Sequence, residues 1–228
     1  MSDEHSADAG RALGYGHGPA DGGPPAQLCV MLHGYGADGR DMIPAAELLG
    51  HAFPRMFFAA PNAPEPCVTD PEYFQWYSPL EGRALADLRV QQLAPRLNRY
   101  IDSLLTRFEL DDRALVILGF SQGGGVAIEA ALQRPQACAA LLGFTTAVRN
   151  KTGLLAQARL RTPGRATPPV LLVHGALDEA IPLASLQRSA ERLRAAGLNV
   201  HTHICADIGH TMNDEGVLVA ATFLRAHL

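Results

Sequence analysis

Ser121 lies in Gly119-Phe120-Ser121-Gln122-Gly123, directly after the apolar run Ala114-Leu115-Val116-Ile117-Leu118. A strand feeding a Gly-x-Ser-x-Gly turn is the pattern of a nucleophile elbow, in which a serine hydroxyl is pushed out of a sheet towards an acyl carbonyl. The turn is tight, so the neighbours of the serine must be small, and Gly119 and Gly123 meet that need. The stretch from Gly124 to Gln133 reads as a helix starting beneath the serine. Its N-terminus would aim free backbone N–H groups and the positive end of its dipole at the reacting oxygen. The pentapeptide alone also occurs in ordinary glycine-rich turns; the strand before it and the helix after it give it meaning.

A serine nucleophile needs a base, and the base needs an orienting acid. Val170-Leu171-Leu172-Val173 reads as a later strand, and it runs into His174-Gly175-Ala176-Leu177-Asp178-Glu179. Asp178 falls just past the carboxyl end of that strand, where ligand-facing residues gather in open parallel sheets. Glu179 is the rival acid, and a solvated turn is the alternative for both. Of nine histidines, His210 has the right order and loop, following the strand Asn199 to Cys205 and preceding the helical pattern Asn213 to Ala226. His174 precedes the acid and reads as structural. His201 and His203 point to one face of a strand, but they have no neighbouring third ligand motif, so no metal is expected.

The fourth element is Leu28-Cys29-Val30-Met31-Leu32-His33-Gly34-Tyr35-Gly36, a strand running into a glycine turn. Acyl transfer builds negative charge on the carbonyl oxygen, and two preplaced N–H donors stabilise it, each by about 3 kcal/mol. The backbone N–H of Gln122 and that of Tyr35 are the candidates.

These stretches occur in one order with Ala60-Pro61-Asn62-Ala63-Pro64, His174-Gly175-x-x-Asp178 and Gly209-His210. Together they resemble the phospholipase/carboxylesterase family of α/β-hydrolases, which includes the acyl-protein thioesterases, from about Gly22 to the C-terminus. The resemblance implies Ser121, Asp178 and His210 as a catalytic triad, Tyr35 and Gln122 as oxyanion donors, and a cofactor-free esterase, often dimeric, acting on acyl esters or thioesters. Family members often carry Ser-Gly after the Gly-Phe that closes the strand following the elbow helix. Here Gly143-Phe144 is followed by Thr145-Thr146, a change expected to reshape the acyl pocket. A short- to medium-chain carboxylesterase is the leading expectation. Acyl-protein thioesterase or lysophospholipase activity uses the same triad, and a hydrolase-fold protein that binds without catalysis is the reading from another class.

The elements that must position these residues alternate between strand and helix: strands at 27–32, 56–60, 114–118, 138–144, 169–174 and 199–205, with helices at 41–49, 85–108, 122–134, 183–196 and 212–226. This order predicts a mostly parallel, doubly wound α/β sheet in one domain, 25–228. Residues 1–24, rich in Gly, Ala, Asp and Pro, read as a flexible tail, part of which could add an edge strand. The 228 residues, 47% of them hydrophobic, suffice for one sizeable core, and a net charge of -4 argues against nucleic-acid binding. There is no apolar run of membrane-spanning length and no secretory signal pattern. Cys29, Cys67, Cys138 and Cys205 contain no CxxC pair and read as reduced thiols, suiting a cytoplasmic protein.

Two loops bear on the substrate. Tyr73, Phe74, Trp76 and Tyr77 make a concentrated apolar surface, either a wall over an acyl chain or a loop stapled to the core. Phe74, Trp76 and Tyr77, with Phe144 and Thr145, are the candidate substrate-binding residues. The stretch 149–169 carries Arg149, Lys151, Arg159, Arg161 and Arg165 and no acid. It reads as a solvated surface, with attraction of an anionic substrate as the alternative.

Overall fold

The computed structural model describes residues 14–148 and 166–228. Its frame is a seven-stranded sheet in the order β1-β3-β2-β6-β7-β8-β9. The strands are β1 (Tyr15–His17), β2 (Gln27–Leu32), β3 (Met56–Ala60), β6 (Leu115–Phe120), β7 (Ala140–Phe144), β8 (Val170–Gly175) and β9 (Val200–Cys205). The short hairpin strands β4 (Glu65–Pro66) and β5 (Phe74–Gln75) form a separate antiparallel pair. Five helices follow in chain order: α1 (Ile43–Ala52), α2 (Gly82–Phe108), α3 (Gln122–Gln133), α4 (Ala184–Ala195) and α5 (Asp214–Arg225).

All neighbours from β3 to β9 pair in parallel, as continuous apolar strands demand when both faces are covered. Alternation along the strands sorts the core into two layers. Leu28, Val30, Leu32, Leu115 and Ile117 face the side carrying α2, α3 and α4. Cys29, Met31, Val116 and Leu118 face α1 and α5. Each fully buried Leu or Ile in these layers contributes about 2 kcal/mol of hydrophobic stabilisation.

Within the seven-stranded sheet the exception to parallel pairing is β1. Tyr15, Gly16 and His17 lie antiparallel against Ala60, Ala59 and Phe58. These three residues fall inside the 1–24 segment read as a flexible tail, and the edge-strand alternative holds for them. Element ends shift by a few residues for local reasons. The first helix begins at Ile43 rather than 41, because Asp38 caps a 3-10 turn over Gly39–Met42. The long helix begins at Gly82 rather than 85, after a 3-10 turn capped by Ser78.

The order of the sheet reverses at β2, so β2 and β6, far apart in sequence, lie side by side with Leu32 opposite Gly119. Ligands in such sheets sit outside the carboxyl ends of the strands at this point of reversal. The glycine turn after β2 and the serine turn after β6 both open there.

Candidate active site

Ser121 sits between β6 and α3 with φ 52° and ψ -115°. A non-glycine residue at positive φ is strained, and such strain collects where a side chain must be held out of its preferred course. The surroundings enforce it. A Cβ on Gly119 would lie 2.5 Å from the Gly123 carbonyl oxygen, and one on Gly123 would run into the carbonyls of Leu32 and His33. The serine N–H donates to Phe144 O at 2.9 Å.

The Ser121 hydroxyl is 2.8 Å from His210 Nε2, and His210 Nδ1 is 2.9 Å from Asp178 Oδ2. The Asp178 carboxylate is fully buried. Its other oxygen accepts from the N–H groups of Ala180 and Ile181, at 2.9 and 2.8 Å. The rival acid, Glu179, is exposed. His174 is buried beside the acid, with Nε2 2.8 Å from Ile181 O and 3.4 Å from Asp178 Oδ2. Phe120 packs against the His210 ring with centroids 5.2 Å apart.

Gln122 is the first residue of α3, so its backbone N–H has no intrahelical acceptor. Its side chain does separate work: Oε1 accepts from Trp76 N at 2.8 Å, and Nε2 donates to Tyr77 O at 2.7 Å. The loop holding Tyr35 is fixed from several sides. Gly36 N–H donates to Phe74 O, and Phe74 N–H donates to Ala37 O. The indole of Trp76 donates to His33 O at 2.9 Å. His33 Nδ1 lies 2.7 Å from Gly34 O, while Ala63 N–H donates to its Nε2 at 2.9 Å. Both bonds are satisfied only by the neutral ring protonated on Nδ1. Burial holds this imidazole below the ordinary histidine range, against the Gly34 carbonyl and the nearby Asp38 and Asp41 charges.

The aromatic loop therefore staples the two turns together. Trp76 is 4% exposed and stacks on His33 at 5.4 Å. Phe144 and Thr145 are also buried. None of Phe74, Trp76, Tyr77, Phe144 and Thr145 lines the cleft that opens beside His210; of the aromatic loop, Tyr73 does. Trp76, Phe144 and Thr145 are buried beneath the site, whereas Phe74 and Tyr77 are half-buried against the core. The Thr145-Thr146 departure likewise acts beneath the elbow: Thr146 Oγ1 donates to Ser121 O at 2.8 Å.

The cleft has a volume of ≈ 570 Å³ and runs between α1 and α5, with Met42, Leu48, Met212 and Val217 as apolar lining and Asp41 and Asp214 as acidic lining. Leu48 and Val217 carry no sequence signal that separates them from core positions of the same two helices, and Met42 and Met212 lie in the turns leading into α1 and α5. The basic residues Arg149 to Arg165 lie outside the described residues.

A mostly parallel sheet with the serine at its central turn, a histidine after the last strand and an acid after the one before it defines an α/β-hydrolase. The chain matches the Phospholipase/Carboxylesterase family over residues 20–228 and belongs to it; it is a serine hydrolase of the esterase, carboxylesterase and acyl-protein thioesterase group. Esterase YpfH of Escherichia coli K12 is 24% identical over 89% of this chain and 83% of its own. Acyl-protein thioesterase 1 of Mycosarcoma maydis is 26% identical over 90% of this chain and 93% of its own. Among solved structures, esterase PE8 superposes with a TM-score of 0.85 at 30% identity, covering 95% of this chain and 99% of that one. No helix among the described residues is long and apolar enough to cross a membrane.

Proposed function

We propose that the protein is a serine carboxylesterase for short- to medium-chain esters, with Ser121 as nucleophile, His210 as general base and acid, and Asp178 as the orienting acid. The observation that carries this reading is the unbroken hydrogen-bonded chain from the Ser121 hydroxyl through His210 to the buried Asp178 carboxylate. His210 takes the serine proton as Oγ attacks the ester carbonyl. The N–H groups of Tyr35 and Gln122 receive the oxyanion. His210 returns the proton to the departing alcohol, leaving an acyl-enzyme. Water then gives a proton to His210 and attacks the acyl carbon, and His210 passes that proton to Ser121 Oγ as the acid leaves.

The cleft volume of ≈ 570 Å³ falls within the roughly 300–1,000 Å³ usual for small-molecule sites. Its acidic lining, Asp41 and Asp214, repels anionic head groups and favours neutral esters. The free thiols among the described residues support a cytoplasmic location. Acyl-protein thioester cleavage is the second reading, favoured by the thioesterase relative that matches nearly end to end. Hydrolysis of p-nitrophenyl esters across a series of acyl lengths tests the proposal. A maximum at short to medium chains, lost in Ser121→Ala, is expected; a long-chain maximum or activity confined to thioesters would favour the second reading.

A further inference from the structure

At the far edge of the sheet, away from the serine turn, β9 presents His201, His203 and Cys205 on one face, two residues apart. His201 packs its ring edge-on against Phe223 of α5, with centroids 5.5 Å apart. The other two meet Glu215, in the first turn of the same helix. His203 Nε2 lies 2.7 Å from Glu215 Oε1. The ligand atoms of His203, Cys205 and Glu215 all lie within 4.8 Å of one another. One imidazole nitrogen, one thiol sulfur and one carboxylate oxygen converge from two elements, a donor set that the esterase reaction does not use.

We propose that His203, Cys205 and Glu215 form a site for a divalent transition metal, with zinc the best match. Zinc takes this mixture of sulfur, nitrogen and oxygen ligands in tetrahedral geometry, at about 2.3 Å from sulfur and about 2.0 Å from nitrogen and oxygen. Ligand atoms around such an ion stand about 3.3–3.5 Å apart. His203 and Glu215 need only separate slightly from 2.7 Å, and the Glu215 side chain, 52% exposed, is free to do so. On binding, the Cys205 thiol loses its proton to solvent and the thiolate bonds the ion. Thiolate and carboxylate together neutralise the two positive charges. Three protein ligands leave a fourth position, on the solvent side where Glu215 is exposed and His203 half-buried, for water.

The placement has a mechanical consequence. Cys205 ends β9 and Glu215 lies in the first turn of α5. The loop between them carries His210. A cation held by both ends therefore clamps the loop that presents the proposed base to Ser121. The pair His201 and His203 lacks a third ligand in the sequence because Glu215 arrives only through the packing of α5 on β9.

The test uses the full chain, stripped with a chelator and titrated with Co²⁺. One equivalent should bind with a thiolate-to-cobalt charge-transfer band, and Zn²⁺ should displace it and raise Tm. Cys205→Ser should abolish the band. Glu215→Gln and His203→Gln, at more exposed positions, should each weaken binding by roughly tenfold or more, with far-ultraviolet circular dichroism confirming their fold. The proposal is overturned if no charge-transfer band forms at millimolar Co²⁺, or if the band survives Cys205→Ser. Should that variant fail to fold, unchanged affinity in both Glu215→Gln and His203→Gln overturns it equally.

Discussion

The Asp178 carboxylate faces in two directions, and that dictates how a conservative replacement fails. Ala180 and Ile181 aim two N–H donors at Oδ1. In Asp178→Asn the amide oxygen must take that side, which turns the NH₂ group towards His210 Nδ1 and forces the ring into the wrong tautomer. Ester hydrolysis should fall by about 10⁴-fold with folding intact; a loss under tenfold would remove Asp178 from the account. His33 gives a pH prediction of its own. The unfolded chain takes up this proton near pH 6.5, whereas burial lowers the native value. Native stability should therefore fall as the pH drops below about 6.5, levelling only beneath the folded value. His33→Gln keeps a polar group there but has no such titration. Urea midpoints measured above and below that pH should converge between parent and variant on acidification. A constant gap would contradict a neutral buried His33.

At the scale of elements, the turn that starts α1 shapes one wall of the cleft. Asp38 accepts from Arg40 N at 2.7 Å and Arg40 Nε at 2.9 Å, and its own N–H donates to Asp41 Oδ2. Burial raises the Asp38 pKa, but the Arg40 hydrogen bonds and charge outweigh it and hold the carboxyl below its usual value. Its contribution is thus present at neutral pH and fades as the pH falls through the carboxylate range. Asp38→Asn keeps a capping oxygen but loses the charge paired with Arg40, so it should cost about 1 kcal/mol or less near pH 7, and the gap from the parent should close in acid; thermal unfolding across pH measures both. The strands were legible because continuous apolar runs bounded by turn residues leave little choice, and β2 matches 27–32 at both ends. The hydrogen-bonded grouping of Ser121, Asp178 and His210 was legible because each follows a recognisable strand. The staple through His33, Trp76 and Gln122 was not, since its bonds join residues 43 and 46 apart in sequence. The same limit hid Thr146, whose hydroxyl reads as an ordinary polar side chain until β7 lies beside β6.

For the whole molecule, the sheet brings the loops after β2, β6, β8 and β9 from distant parts of the chain to one rim, while α1 and α5 close a cleft against them. The aromatic segment, through the Trp76 indole and the backbone of Phe74, Trp76 and Tyr77, holds the turns after β2 and β6 in register. We propose that chain-length preference is set by Met42, Leu48, Met212 and Val217, which line the cleft. In the proposed reaction one serine, activated by one histidine, performs the acyl transfer. Its most direct measurement is the intact mass and peptide map of the parent, Ser121→Ala and His210→Ala proteins after exposure to a fluorophosphonate. For that reaction one adduct on Ser121 is expected in the parent, none in Ser121→Ala, and greatly slowed labelling in His210→Ala. An unlabelled parent, or an adduct that persists in Ser121→Ala, would contradict it.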